Sequence, residues 1–432
     1  NTNQIISTDL DAIHNYNFGA PYVGTIDRVD NSAGAVISGA SSGIANDGTI
    51  TTINNYGSIT GVVPNTSNGI VNISSISTIN NFGSGVVSGG NSGIANASAG
   101  SITSIANSSG GVISGTGSSG VGIGNDGSIG TIYPGVTGGI DNSGTIQGVL
   151  RGISNTGLIS TIANNAGGVI SASSGDAIGN GTNSYAGTIG LFGNYGSITA
   201  PNGFFGINNS YNGTIAVLVN AQSNLTYKGN LPASYGIVLG SNAATYGRLA
   251  VTSAKPYDWN GTSGSGVTSF GISGGTVKAA KYVGVLSGVT ASLLDSSSLR
   301  GTYGSNTYQL ALESGSTTVW DLLFNYYIGP STTDTQQSML NTTKALQGTV
   351  TILNTALVNS LTYDCTEFGA NNVCISVGGR NTAVSAANGL NNTSALLIAA
   401  YRPHPNYRIG AYADQNLSVN NAGSTVNLGN NT

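Results

Sequence analysis

Charged side chains are scarce in this chain: 12 Lys and Arg plus 16 Asp and Glu among 432 residues, or 6%, against about 25% in an ordinary globular domain. So few cations leave no basic surface to pair with phosphates, which argues against a nucleic-acid partner. Net charge is −4 and mean hydropathy +0.08, so the chain also lacks the high-charge, low-hydropathy signature of disorder. No stretch approaches the roughly 18 apolar residues of a spanning helix, and any membrane association would have to use β-strands. The 67 glycines follow no Gly-X-Y period, which excludes collagen. What remains is rich in Gly, Ser, Thr, Asn, Ile and Val, the material of an extended β architecture with a long continuous core.

The two cysteines, Cys365 and Cys374, stand at a spacing that a β-hairpin closes into a disulfide. The rival reading, a metal site, has little to draw on, because His14 and His404 both lie outside this stretch. A disulfide implies an oxidising compartment such as the periplasm or cell surface. The opening Asn1-Thr2-Asn3, with no basic or apolar leader, is expected of a mature protein whose signal peptide has been removed.

From about residue 31 to 220 one phrase recurs. A Gly-Ile pair with Asn nearby leads to a Gly-Thr-Ile step, an Asn-rich corner and Gly-Ser-Ile, as in residues 43–61. The Ile of the Gly-Ile or equivalent step falls at Ile44, Ile70, Ile94, Ile123, Ile153, Ile178 and Ile207. A variable period points to a solenoid whose stacked turns share a core while insertions sit at the corners. Three short β-prone pieces per unit, separated by Gly and Asn, predict three strands and three corners per turn. The expected fold is therefore all-β: a right-handed parallel β-helix of about seven turns, followed by one α-helix and a few antiparallel strands. Asn54, Asn80, Asn107, Asn142 and Asn165 recur at similar phase and are expected to form internal ladders. Few charges keep the stacked outer faces free of like-charge repulsion.

This reading divides the chain into an N-terminal cap (1–30), regular repeats (31–220), irregular coils with a C-terminal cap (221–330), a linker helix (331–360) and a further β region (361–432). Residues 221–330 gain tyrosine, Trp259 and Trp320, and the core is expected to end with aromatic residues around Thr318–Leu323. In the helix, Met339, Leu340, Leu346, Val350, Leu353 and Leu357 form one apolar stripe, with Thr332, Thr333 or Asp334 as N-cap and Pro330 just upstream. Strands are expected at 373–377, 394–401 and 407–413, the last two joined by a turn across Arg402–Asn406.

The stretch from Leu361-Thr362-Tyr363-Asp364-Cys365 through Cys374–Arg380, Ala400-Tyr401-Arg402 and Arg408–Ser418 resembles the junction of a bacterial type V autotransporter. The resemblance implies a β-helical passenger, a helix threaded through an outer-membrane barrel, and the first barrel strands. It implies a cell-surface or extracellular location at a Gram-negative outer membrane. The chain departs from that family in ending at Thr432 with far fewer strands than a closed barrel needs. Either it is part of a longer product, or its unpaired strands serve outside the membrane and dock onto a neighbouring copy.

Chemical motifs are weak. Enzymes built on β-helices gather carboxylates with a cation on one face, and Asp126, Asp141 and Arg151 are the nearest such set; they read as ordinary corner residues. The Gly39–Gly43 and Gly115–Gly120 motifs are expected by chance in so Gly/Ser-rich a chain. Asp9, Asp11, Asp27 and Asp30 offer carboxylates for calcium without any supporting repeat, and are expected to belong to a solvated cap. Tyr22, Tyr56, Tyr133, Tyr185, Tyr195 and Tyr211 read as support for corners, with a binding stripe as the alternative. No catalytic, metal or cofactor residue is assigned. The expected function is a noncatalytic surface or adhesive protein that associates with itself or with a host-surface ligand; the alternative is a β-helical polysaccharide hydrolase or lyase.

Overall fold

The computed structural model describes residues 3–19, 22–131, 138–210, 212–256, 266–325, 332–384 and 390–420. Trp259, Tyr133, Tyr211, Pro330 and the chain end after 420 lie outside them. The chain forms two compact units, Asn1–Tyr326 and Tyr327–Thr432.

The first unit is a parallel β-solenoid. Eight successive turns each supply strands to three parallel sheets, taken here as first, second and third in order along the turn. The seven isoleucines that marked the repeat are register partners along the second sheet. All seven are fully buried. Parallel columns run through Ile37, Ile59 and Val87 in the first sheet and through Ile50, Ile76 and Ile102 in the third. Each fully buried Ile contributes about 1.5–3 kcal/mol, so the core is a stack of small equal increments rather than one centre.

Two rows of buried asparagines run beside these columns. In the second sheet Asn15, Asn46, Asn72, Asn96, Asn125, Asn155, Asn180 and Asn209 each pass a hydrogen bond from Nδ2 to Oδ1 of the next, at 2.8 Å throughout. In the third sheet Asn31, Asn55, Asn81, Asn107, Asn142, Asn164, Asn194 and Asn220 form a like row, at 2.8 to 3.0 Å. The same amides also reach corner carbonyls, as Asn46 does to Gly48 and Ser75. The rows thus satisfy backbone groups that the corners would otherwise bury unpaired. Of the five asparagines expected inside, Asn107 and Asn142 are there. Asn54, Asn80 and Asn165 face outward, because each lies one position from the inward residue and a one-residue step in a strand changes face.

Two further expectations are corrected. Residues 1–30 are not a separate cap: Gln4–Ser7, Ile13–Asn15 and Thr25–Asn31 form the first turn and pair with the second. Their inward Ile5, Ile13, Ile26 and Val29 continue the columns, although the 16–24 segment hides the phrase. Nor do insertions fall only at corners. In the fifth turn an insertion splits a third-sheet strand into Ser128–Ile129 and Gly139–Asn142, and both halves still pair with Ser101–Asn107.

The solenoid ends by exchanging isoleucine for aromatic rings. Ile207 is followed in register by Tyr227, and Leu218 by Tyr235 and then Phe270. The first sheet stops at Ser197–Thr199, where Gln222 replaces the next strand. Its Oε1 accepts from Ile198 N at 2.8 Å and its Nε2 donates to Ile198 O at 3.0 Å. Two more turns extend the second and third sheets before the antiparallel strands Val319–Phe324, Asn306–Leu312 and Arg300–Tyr303 finish the second. Trp320 is buried there and donates to Val289 O.

The second unit holds the helix Thr332–Ser360 and an antiparallel sheet of Val373–Val384, Leu390–His404 and Tyr407–Asn420. The helix lies against the first two strands. Its apolar stripe does not pack: Met339, Leu340, Leu346, Val350 and Leu357 are exposed, while Gly348 is buried. The covered sheet face is largely polar and offers that stripe little to bury against. The side chains of residues 332–334 and Leu353 lie outside the description.

Candidate functional site

The outward faces of the solenoid carry hydroxyls and amides in register. Ser38, Thr60, Ser88, Ser114, Gln147, Ser171 and Thr199 form one column on the first sheet. On the third sheet, Thr49, Ser75, Ser101 and Ser128 form a second column, and Thr52, Thr78 and Ser104 a third. Neighbours in a column are about 4.8 Å apart, the strand spacing. These are uncharged arrays that, apart from the buried Ser114, present many similar weak donors and acceptors.

The carboxylates are built into the same arrays. Asp30 accepts from Asn54, which accepts from Asn80, all outside the core. The Asn54 bond, with Arg28 beside it, holds the Asp30 carboxyl below the usual range against the opposing effect of desolvation. Asp126 accepts from Thr156 at 2.5 Å, Asp141 from Asn165, and Asp176 from Asn208 at 2.7 Å and Phe205 N at 2.9 Å. Each bond crosses to the following turn and ties two turns together. Arg151 sits on the second sheet, where Nη1 reaches Ser154 at 3.4 Å. Asp126, Asp141 and Arg151 are therefore not brought together. Of the serine- and glycine-rich motifs, the central Ser41 of Gly39–Gly43 is exposed in a bend whose backbone bonds Leu10 O and Asn68 N, and Ser118 is bound by Asn65; both are corner structure.

Asp9 and Asp11 lie in a turn rather than on one face of a strand. Asp11 is occupied by His14: Nδ1 stands 3.1 Å from Asp11 Oδ2, and Nε2 3.0 Å from Asp47 Oδ2 in the next turn. The imidazole stacks on Tyr16 at 3.6 Å between centroids, and Tyr16 on Phe18 at 5.5 Å. Reading the chain alone missed this cluster; the alternation of His14, Tyr16 and Phe18 is the signal that marks one face. Tyr22, Tyr56, Tyr185 and Tyr195 are exposed, but they fall at two different corners and make no single stripe. Tyr56 stacks on Phe82 of the following turn at 4.7 Å, which supports that corner. Among the described residues no group of three His, Cys, Asp or Glu side chains is placed to hold a metal ion.

In the second unit Cys365 and Cys374 are bonded, with Cα atoms 6.0 Å apart. The sheet has two unlike faces. One exposes Val373, Ile375, Val377, Leu397, Tyr401 and Ile409, with Ile375, Val377 and Ile409 at least 70% accessible. The other buries Thr382, Asn392, Ser394 and Asn416. It also holds Arg380 between Asp414 and Tyr363, both at 2.8 Å.

The class these features define is a parallel β-solenoid protein with a separate helix and antiparallel sheet. No family model matches the chain, and no curated protein or solved structure matches it either.

Proposed function

We propose that the chain is a noncatalytic cell-surface protein of autotransporter type, whose solenoid is displayed outside the cell for adhesion, coating or self-assembly. The observation that carries the reading is the use made of the carboxylates. Asp30, Asp126, Asp141 and Asp176 are spent on hydrogen bonds between successive turns, whereas a hydrolase or lyase needs carboxylates and a cation converging on one substrate position. Columns of Ser, Thr and Asn favour attachment through many weak contacts, multiplied when copies gather on a surface. The second unit supports the membrane side of the reading. Strands with one apolar face and one polar, ion-paired face suit a barrel wall between lipid and lumen, and a disulfide suits an oxidising compartment.

The test is incubation of the purified chain with a panel of surface polysaccharides and host-cell glycans, reading retention and release of reducing or unsaturated ends together. Retention without release is the expected result. Release that disappears in Asp126→Asn or Asp141→Asn would replace this reading with the enzymatic one. In parallel, added protease should digest the solenoid on intact producing cells; full protection would place it elsewhere.

A further inference from the structure

The contacts of His14 require more protons than a neutral imidazole supplies. A neutral ring has one N–H and one lone pair, a protonated ring has two N–H groups, and carboxylates only accept. Both ring nitrogens of His14 lie within hydrogen-bond distance of a carboxylate oxygen, Asp11 in its own turn and Asp47 in the next. With the ring neutral, one of these contacts sets a lone pair against an anion. The surroundings are otherwise uncharged or acidic: Tyr16 covers the ring face, Asp9 is on the same turn, and Arg28 is engaged by Asp30 on the third sheet. The second carboxylate oxygen of Asp11 is buried without a partner, so Asp11 depends on this contact.

Ile6, Leu10 and Phe18 beside the cluster are exposed, and segments with few buried apolar contacts open locally at low cost.

We propose that Asp11, His14 and Asp47 form a proton-dependent latch that fastens the first solenoid turn to the second. With the ring protonated it donates to both carboxylates and joins the turns. Once the ring gives up its second N–H proton at higher pH, one donor is lost and the turn loosens. Mildly acidic surroundings therefore stiffen this turn, and neutral to alkaline ones loosen it.

Amide hydrogen exchange of the whole chain, corrected for intrinsic rates, tests this at about pH 5.5 and about pH 8. Peptides covering 10–18 and 44–49 should lose about tenfold in protection at the higher pH, while peptides within 94–125 stay unchanged. The pH effect should vanish in His14→Gln. Equal protection at both values, or a dependence that survives in His14→Gln, overturns the proposal. Should that variant fold poorly, nitrogen NMR of the unmodified ring decides, with His404→Gln used to assign it. Hydrogens on both His14 nitrogens at the lower pH support the latch, and a single one overturns it.

Discussion

A buried asparagine is costly unless every polar atom finds a partner, and the two internal rows meet that condition by passing one bond along each turn. Asn125 accepts from Asn96 and donates to Asn155. Asn125→Leu should leave both neighbours short of a partner and lower stability by about 3 kcal/mol, read by chemical denaturation. The aromatic end of the rows gives contrasting expectations. Tyr227 accepts from Asn209 and donates to Asn230 O, while the buried Tyr235 hydroxyl has only Asn220 beside it and no well-formed hydrogen bond. Tyr235→Phe should leave stability unchanged or raise it by about 1 kcal/mol, and Tyr227→Phe should lower it. Burial pushes both hydroxyls well above their ordinary range. The folded state thus keeps protons that the unfolded state releases, and stability present below about pH 10 should be lost progressively above it. Alkaline melts of the wild type and both variants check the sign.

The isoleucine columns were legible because their period survives every insertion. The asparagine rows were half legible. Asn54-Asn55, Asn80-Asn81 and Asn164-Asn165 are doublets, and only the alternation of faces tells which member points inward. That signal is present: the inward Asn stands two residues after an inward Ile in Ile44–Asn46, Ile53–Asn55, Ile79–Asn81 and Ile162–Asn164. The aromatic side of the His14 cluster was marked by the alternation of His14, Tyr16 and Phe18, but its contact with Asp47 was not legible, because Asp47 is brought to the ring by stacking of turns and not by proximity in sequence.

At the scale of elements, corners are constrained by backbone crowding. A Cβ on Gly148 would stand 1.9 Å from Arg151 O, so Gly148→Ala should displace the corner between first and second sheets and lower the unfolding midpoint. In the second unit the disulfide closes a short loop at the start of the sheet. Cys374→Ser should cost about 3 kcal/mol on loop-closure grounds, visible as earlier melting of that unit. The helix shows where periodicity misleads: its stripe has helical spacing, as expected, but the described members Met339, Leu340, Leu346, Val350 and Leu357 are exposed.

At the scale of the whole molecule, a stack of near-equal turns should tolerate loss of one turn but not a shift of register. Ile94 and Ile123 are register partners, so deleting residues 95–123 joins equivalent points of successive turns. That variant should fold with the same circular dichroism and a lower melting temperature. Deleting 95–122 instead turns inward residues outward and should prevent folding.

The central claim is in-register parallel stacking, and paired cysteines test it most directly. Thr78 and Ser104 are outward partners on adjacent strands, whereas Ser101 is the partner of Ser75. Mass spectrometry of the air-oxidised variants should find a new disulfide in Thr78→Cys with Ser104→Cys and none in Thr78→Cys with Ser101→Cys. Cross-linking in the second pair and not the first would contradict the stacked solenoid.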